Sequence, residues 1–111
     1  GTAPSVSAAN VIVKPNPFVP NDGKDETGKN YISGIANSGG IIFDNLPANA
    51  AIKIFTLRGA LVTEKSLNNT TSNKYQWDVK NDAGREVASG VYLFVVTSPS
   101  GTKTGKFVII R

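Results

Sequence analysis

The 111-residue chain contains no histidine, no cysteine and no methionine. Without cysteine no disulfide can form, and without cysteine or methionine nothing is easily oxidised. That composition suits the cytosol and the exterior alike and lends only slight weight to an extracellular home. Without histidine, the side chain that most often moves protons near neutral pH is missing. No apolar run approaches the roughly 20 residues of a membrane span, so no transmembrane segment is expected. Charge is also sparse in any one place. Twelve Lys and Arg against eight Asp and Glu give a net charge of +4, and the cations are scattered singly from Lys14 to Arg111. A nucleic-acid interface gathers them on one face, commonly beside stacking aromatics. The only local group is Lys103, Lys106 and Arg111, so no nucleic-acid partner is expected.

By length the chain makes one domain, which buries roughly 60–70% of the surface its unfolded form exposes. That suffices for one core and not for a core plus a deep substrate cavity. The start, Gly1-Thr2-Ala3-Pro4-Ser5, lacks the basic end and apolar stretch of a signal peptide. The expected division is a linker or cloning-derived extension over residues 1–10 and a folded domain over 11–111.

What is present reads as strands. Val11-Ile12-Val13 is a short β-branched run stopped by Pro15-Asn16-Pro17. Phe18-Val19-Pro20 leads into an exposed loop over 21–30, and Tyr31-Ile32 is a candidate paired segment. Residues 40–46 form a strand closed by Pro47. Over 51–57, Ile52 and Ile54 share one face and Lys53 and Phe55 the other, a period of two. Arg58-Gly59 turns the chain into a hairpin partner over 60–65. Lys74 to Val79 carries Tyr75 and Trp77 on one face, and Asn81-Asp82-Ala83-Gly84 is a strong turn signal. Residues 90–97 are apolar on both faces, which predicts a central strand. Pro99-Ser100-Gly101-Thr102 then turns into a final strand, Lys103 to Ile110.

About seven short strands with turns between them, and no amphipathic helix, predict a two-sheet, mostly antiparallel sandwich. Trp77, Tyr92, Phe94, Phe55, Phe43 and Phe107 are the expected core bulk. A glycan-binding platform would instead need an exposed coplanar pair from Tyr31, Phe55, Tyr75, Tyr92 and Phe94.

Catalytic signals are weak. The eight carboxylates fall mostly in or beside turns, and nothing places two across a cleft. Ser100-Gly101-Thr102-Lys103 and Lys103-Thr104-Gly105 spell two motifs of serine penicillin-binding enzymes. They overlap at Lys103 and lack the third element, so they are coincidence. Asn68-Asn69-Thr70 and Asn69-Thr70-Thr71 are glycosylation spellings in a loop. Asn21-Asp22-Gly23-Lys24-Asp25-Glu26 gathers hard oxygens, but Lys24 lies inside it and the spacing is not that of an EF-hand. No catalytic residue, metal or cofactor is assigned, and the chain is read as no enzyme.

Four segments in order carry a resemblance: Lys14-Pro15-Asn16-Pro17-Phe18; Ile52 through Gly59 to Val62; Trp77-Asp78 with Asn81 to Gly84 and Gly90-Val91-Tyr92; and Lys103-Thr104-Gly105-Lys106-Phe107-Val108-Ile109-Ile110-Arg111. From Val11 onward the set resembles the immunoglobulin-like domain of flagellar hook-capping proteins and the related C-terminal sorting domains of type IX secretion cargo. The insertion from Val19 to Tyr31 and the Trp77–Gly84 segment look more like the hook-cap version.

The resemblance implies an all-β, immunoglobulin-like antiparallel β-sandwich of about seven strands. Pro15, Asn16, Pro17, Gly59, Trp77, Asp78, Gly84, Gly90 and Tyr92 would make the scaffold, with Gly90 allowing a close approach. It also implies a non-catalytic module of a larger secreted or surface protein, found outside a bacterium after transit through the periplasm. Its expected partners are secretion or surface-assembly proteins and the upstream domains of its parent. The strand Lys103, Gly105, Lys106, Phe107, Val108, Ile109, Ile110 and Arg111 would be what the secretion machinery reads, with Lys106 and Arg111 facing solvent or a receptor. The alternatives are a structural spacer or assembly module and, after it, a carbohydrate-binding module.

Overall fold

Apolar residues at every second position can bury one face of a strand, and two such faces must close on each other. The computed structural model of the chain describes residues 11–32, 39–67 and 73–111. The seven strands among these residues are β1 (Ile12–Lys14), β2 (Ile41–Asp44), β3 (Ala50–Thr56), β4 (Leu61–Leu67), β5 (Tyr75–Trp77), β6 (Gly90–Ser98) and β7 (Gly101–Ile109). They form an antiparallel three-stranded sheet, β1-β2-β5, and an antiparallel four-stranded sheet, β4-β3-β6-β7. This is an immunoglobulin-like sandwich. The only helical piece among the described residues is a 3₁₀ turn, Asp25–Thr27. Residues 1–10 and the glycosylation spellings at 68–71 lie outside the described residues.

The inward faces follow the period of two. Ile52 and Ile54 from β3, Tyr92, Phe94 and Val96 from β6, and Phe107 and Ile109 from β7 meet Ile41, Phe43 and Trp77 from the smaller sheet. Phe107 is the hub. Its ring lies 5.8 Å from Tyr92 in a stack, and 6.0 and 6.3 Å from Trp77 and Phe43 edge-to-face. Such geometries add about 0.5–1.5 kcal/mol per pair beyond area burial.

Three expectations are corrected. Phe55 is not core: it is half-buried on the outer face, because β3 sends only one face inward and Ile52 and Ile54 occupy it. Phe18, read as the start of a loop, is fully buried. Its backbone bridges in parallel to Ile109, so it closes the sandwich beside β7. Tyr31 and Ile32 form no strand. The central position expected for residues 90–97 is found, since β6 lies between β3 and β7. Its outer face, Val91, Leu93 and Val95, stays half-buried or exposed, with no layer over it among the described residues.

Candidate functional site

Folding accounts for most of the terminal hairpin. β6 and β7 pair without a break from Gly90↔Ile109 to Ser98↔Gly101. Phe107 and Ile109 are wholly buried. Gly105 lies under the ring of Phe94, where a Cβ would sit 2.5 and 2.6 Å from Cε2 and Cζ. Only glycine lets that ring close over β7. Val108 is half-buried and Ile110 exposed on the opposite face.

The Pro15-Asn16-Pro17 segment lies along the outer edge of β7. Both bonds preceding its prolines, Lys14–Pro15 and Asn16–Pro17, are cis. The Asn16 amide accepts from Val108 N at 3.1 Å and donates to Lys106 O at 3.3 Å. Phe18 N donates to Val108 O at 2.8 Å, and Ile110 N donates to Phe18 O at 2.9 Å. These residues stand in for an eighth strand over half the edge.

The remaining scaffold residues organise the segment between β5 and β6. Trp77 Nε1 donates to Lys80 O at 3.0 Å, and Asp78 Oδ1 accepts from Lys80 N at 3.1 Å. Asn81 Oδ1 accepts from Ala83 N and Arg85 N, each at 3.0 Å, while Gly84 takes the positive φ the turn needs. The Tyr92 hydroxyl donates to Ala88 O at 2.6 Å. Gly59 supplies positive φ in the β3–β4 turn, closed by Thr56 N to Ala60 O at 2.8 Å. Gly90 departs from expectation. A Cβ there would meet only the Tyr92 ring at an ordinary 3.8 Å, and the close approach occurs at Gly105.

Arg111 is the main correction. Its side chain folds back instead of facing solvent and is 18% exposed. Nε donates to Val87 O at 2.7 Å, Nη2 to Val79 O at 3.4 Å, and Nη1 lies 3.6 Å from Glu86 Oε2. Its backbone N–H donates to Ser89 Oγ at 2.8 Å. The planar fork suits this divided task. It also secures Val79, a β-branched residue at φ 63°, a sparsely populated conformation that neighbouring bonds must hold. No local sequence signal announces this clamp, because its acceptors are 24 and 32 residues away in the chain.

The expected trio of cations is therefore not a cluster. Strand alternation puts Lys103 on the face of Phe107 and Lys106 on the opposite face. Arg111 is engaged with the 79–89 segment. Lys103 and Lys106 make no ion pair among the described residues.

Neither alternative site assembles among the described residues. Asp22 accepts from Thr27 Oγ1 at 2.6 Å and from Lys24 N at 2.9 Å. These bonds, the Thr27 one foremost, hold its carboxyl below its usual range. Asp22 thus ties its own turn. Among the described residues no group of three or more His, Cys, Asp or Glu side chains converges. Tyr92 and Phe94 are buried, and Tyr31, Phe55 and Tyr75 are half-buried, so no exposed aromatic pair forms a glycan platform.

The comparisons agree with this architecture. The chain superposes over its full length on 13% of PorZ, an essential bacterial surface component of the type IX secretion system of Porphyromonas gingivalis, at 26% identity and a TM-score of 0.68. A second likeness, of fold alone, is to dimeric latent PorU from the same organism. There 90% of this chain matches 9% of that one at 22% identity and a TM-score of 0.51. The chain thus spans a small part of either protein. No curated protein matches it. The secretion system C-terminal sorting domain family matches residues 36–110. That family is non-catalytic and acts in delivery to the cell surface and exterior after periplasmic transit, and the hook-cap resemblance gains no support from it. By that match, across both sheets and the whole terminal hairpin, the chain belongs to the secretion system C-terminal sorting domain family.

Proposed function

We propose that this sorting module delivers a larger protein through the type IX machinery, and that the determinant read is the β6–β7 hairpin, centred on Lys103 and Lys106. The observation carrying this reading is what remains after folding roles are assigned. Phe107 and Ile109 fill the core, Gly105 admits Phe94, Val108 binds Asn16, and Arg111 clamps the 79–89 segment. Lys103 and Lys106 have no such task. Lys106 is exposed and Lys103 half-buried, and lysines so placed on a strand flank cost little to keep and supply charge for recognition.

The test fuses residues 11–111 to a periplasm-competent reporter in a bacterium that has the type IX machine. The unaltered fusion should reach the cell surface or medium. Lys103→Gln with Lys106→Gln should keep the melting temperature, since surface substitutions usually change stability by within about 0.5 kcal/mol. Export should fall at least several-fold. An unaltered fusion retained in the periplasm would reject the sorting role and favour a structural spacer. Full export of the double variant would move the determinant elsewhere on the domain.

A further inference from the structure

The four-stranded sheet ends on one side at β7. Backbone groups of Lys106, Val108 and Ile110 point away from β6 and are taken by Asn16 and Phe18, as described above. Strand alternation carries the same outward direction back to Thr104 and Thr102. Their N–H and C=O groups, with the N–H of Lys106, meet no strand among the described residues. The Asn16–Phe18 cover stops at Lys106 and leaves the next stretch bare. An uncovered edge of this kind is a template for another strand.

The opposite edge, β4, differs. Asp82 N donates to Val62 O at 3.3 Å, and Thr63 Oγ1 donates to Asp82 Oδ1 at 2.6 Å, so part of it is covered. Glu64 and Lys65 give it charges of both signs. The β6–β7 hairpin itself carries one sign only. From Val87 to the end there are three cations and no carboxylate, while the rest of the chain holds nine cations and eight carboxylates.

We propose that Thr102–Lys106 is a docking edge that accepts an extended, acid-bearing strand of a partner protein by main-chain pairing. This deepens the sorting reading and rests on it. Main-chain bonds to an edge supply affinity and are indifferent to sequence, so the side chains must supply the choice. Lys103 and Lys106 flank the bare backbone on opposite faces, three residues apart. A matching strand therefore carries carboxylates three residues apart, one for each face. A second copy of this strand is disfavoured, because antiparallel or parallel pairing brings lysines near lysines. The same lysines that welcome an acidic strand thus keep the module from pairing with itself.

The discriminating variant is Thr104→Pro. Proline removes an outward N–H that has no partner among the described residues, so an edge strand tolerates it, yet it blocks strand addition. The full chain is fused to the reporter, with Thr104→Ala as control and Thr102→Pro as a second variant should Thr104→Pro not fold. Thr104→Ala should be exported normally. A proline variant with an unchanged melting temperature should be exported at least tenfold less. Normal export of a folded proline variant would overturn the edge proposal. If export then still failed with Lys103→Glu and Lys106→Glu, charge alone would be read and the sorting role would stand. Retention of the unaltered fusion would remove both readings together. Sedimentation of the free domain as a dimer that Thr104→Pro dissociates would assign the edge to a second copy and overturn the acidic partner.

Discussion

Arg111 and Lys106 look alike as terminal cations, and their environments separate them. Arg111 bonds two carbonyls and faces a carboxylate with its side chain mostly covered. Hydrogen bonds to a charged group contribute about 1.5–3 kcal/mol each when well formed. Of the two, only the Val87 bond is short, so Arg111→Ala should cost about 1–3 kcal/mol. In a domain of this size each kcal/mol lowers the melting temperature by roughly 4–8 °C. Lys106→Ala should leave it within a few degrees. Thermal denaturation of the two variants side by side checks the contrast, and equal melting temperatures would remove the clamp. The role of Arg111 is illegible in sequence because a fork needs acceptors, and the fold alone brings Val79 and Val87 to it. Phe18 was hidden for the same kind of reason. Two prolines beside it signal a loop, and only the approach of β7 gives its backbone a partner and its ring a core.

At the level of the element, β7 is scaffold first, and under the proposed function it carries the signal as well. Removing residues 103–111 takes away Phe107 and Ile109, both fully buried. Truncating one buried aromatic to Ala costs about 3–5 kcal/mol, against a total of about 5–15 kcal/mol for a native domain. The truncated chain should therefore show no cooperative unfolding transition by Trp77 fluorescence or near-ultraviolet circular dichroism. Loss of export on such truncation would report unfolding as much as lost recognition, which is why point changes at Lys103, Lys106 and Thr104 are the informative ones. The strands themselves were legible. In β3 the inward Ile52 and Ile54 follow from spacing, and Phe55 belongs to the other face of that alternation despite its bulk; β6 and the end of β7 are apolar on both faces, so only packing decides which face is buried.

For the whole molecule, the lack of histidine shapes the response to pH. No side chain has an ordinary pKa between about 5 and 8. Asp44 is held below its usual range chiefly by Lys14, whose Nζ lies 2.9 Å away, and Asp22 by Thr27. A carboxyl depressed by folding contributes stability that is present above its unfolded value of 3.8 and is lost as pH falls through the lower folded value. Burial raises Tyr75 and Tyr92 above 10.0. Their contribution is present below that value and is lost as pH rises through the folded one. The melting temperature should thus be flat from about pH 5 to 9 and decline on both sides. A midpoint of stability change near pH 6.5 would contradict this assignment of the titrating groups.

The amino-acid sequence by itself determined the class of fold, the order of its strands and the absence of histidine and cysteine chemistry, because alternation, turn residues and composition are local properties. It also carried the family resemblance, since the scaffold motifs recur in order along the chain. Tertiary structure decided which cations are free. Strand alternation placed Lys103 and Lys106 on opposite faces, and the 79–89 segment captured Arg111. It also decided that the Asn16–Phe18 segment covers β7 only as far as Lys106. Which backbone groups remain unpaired depends on contacts between segments about ninety residues apart, and no local pattern encodes a distance across the sandwich.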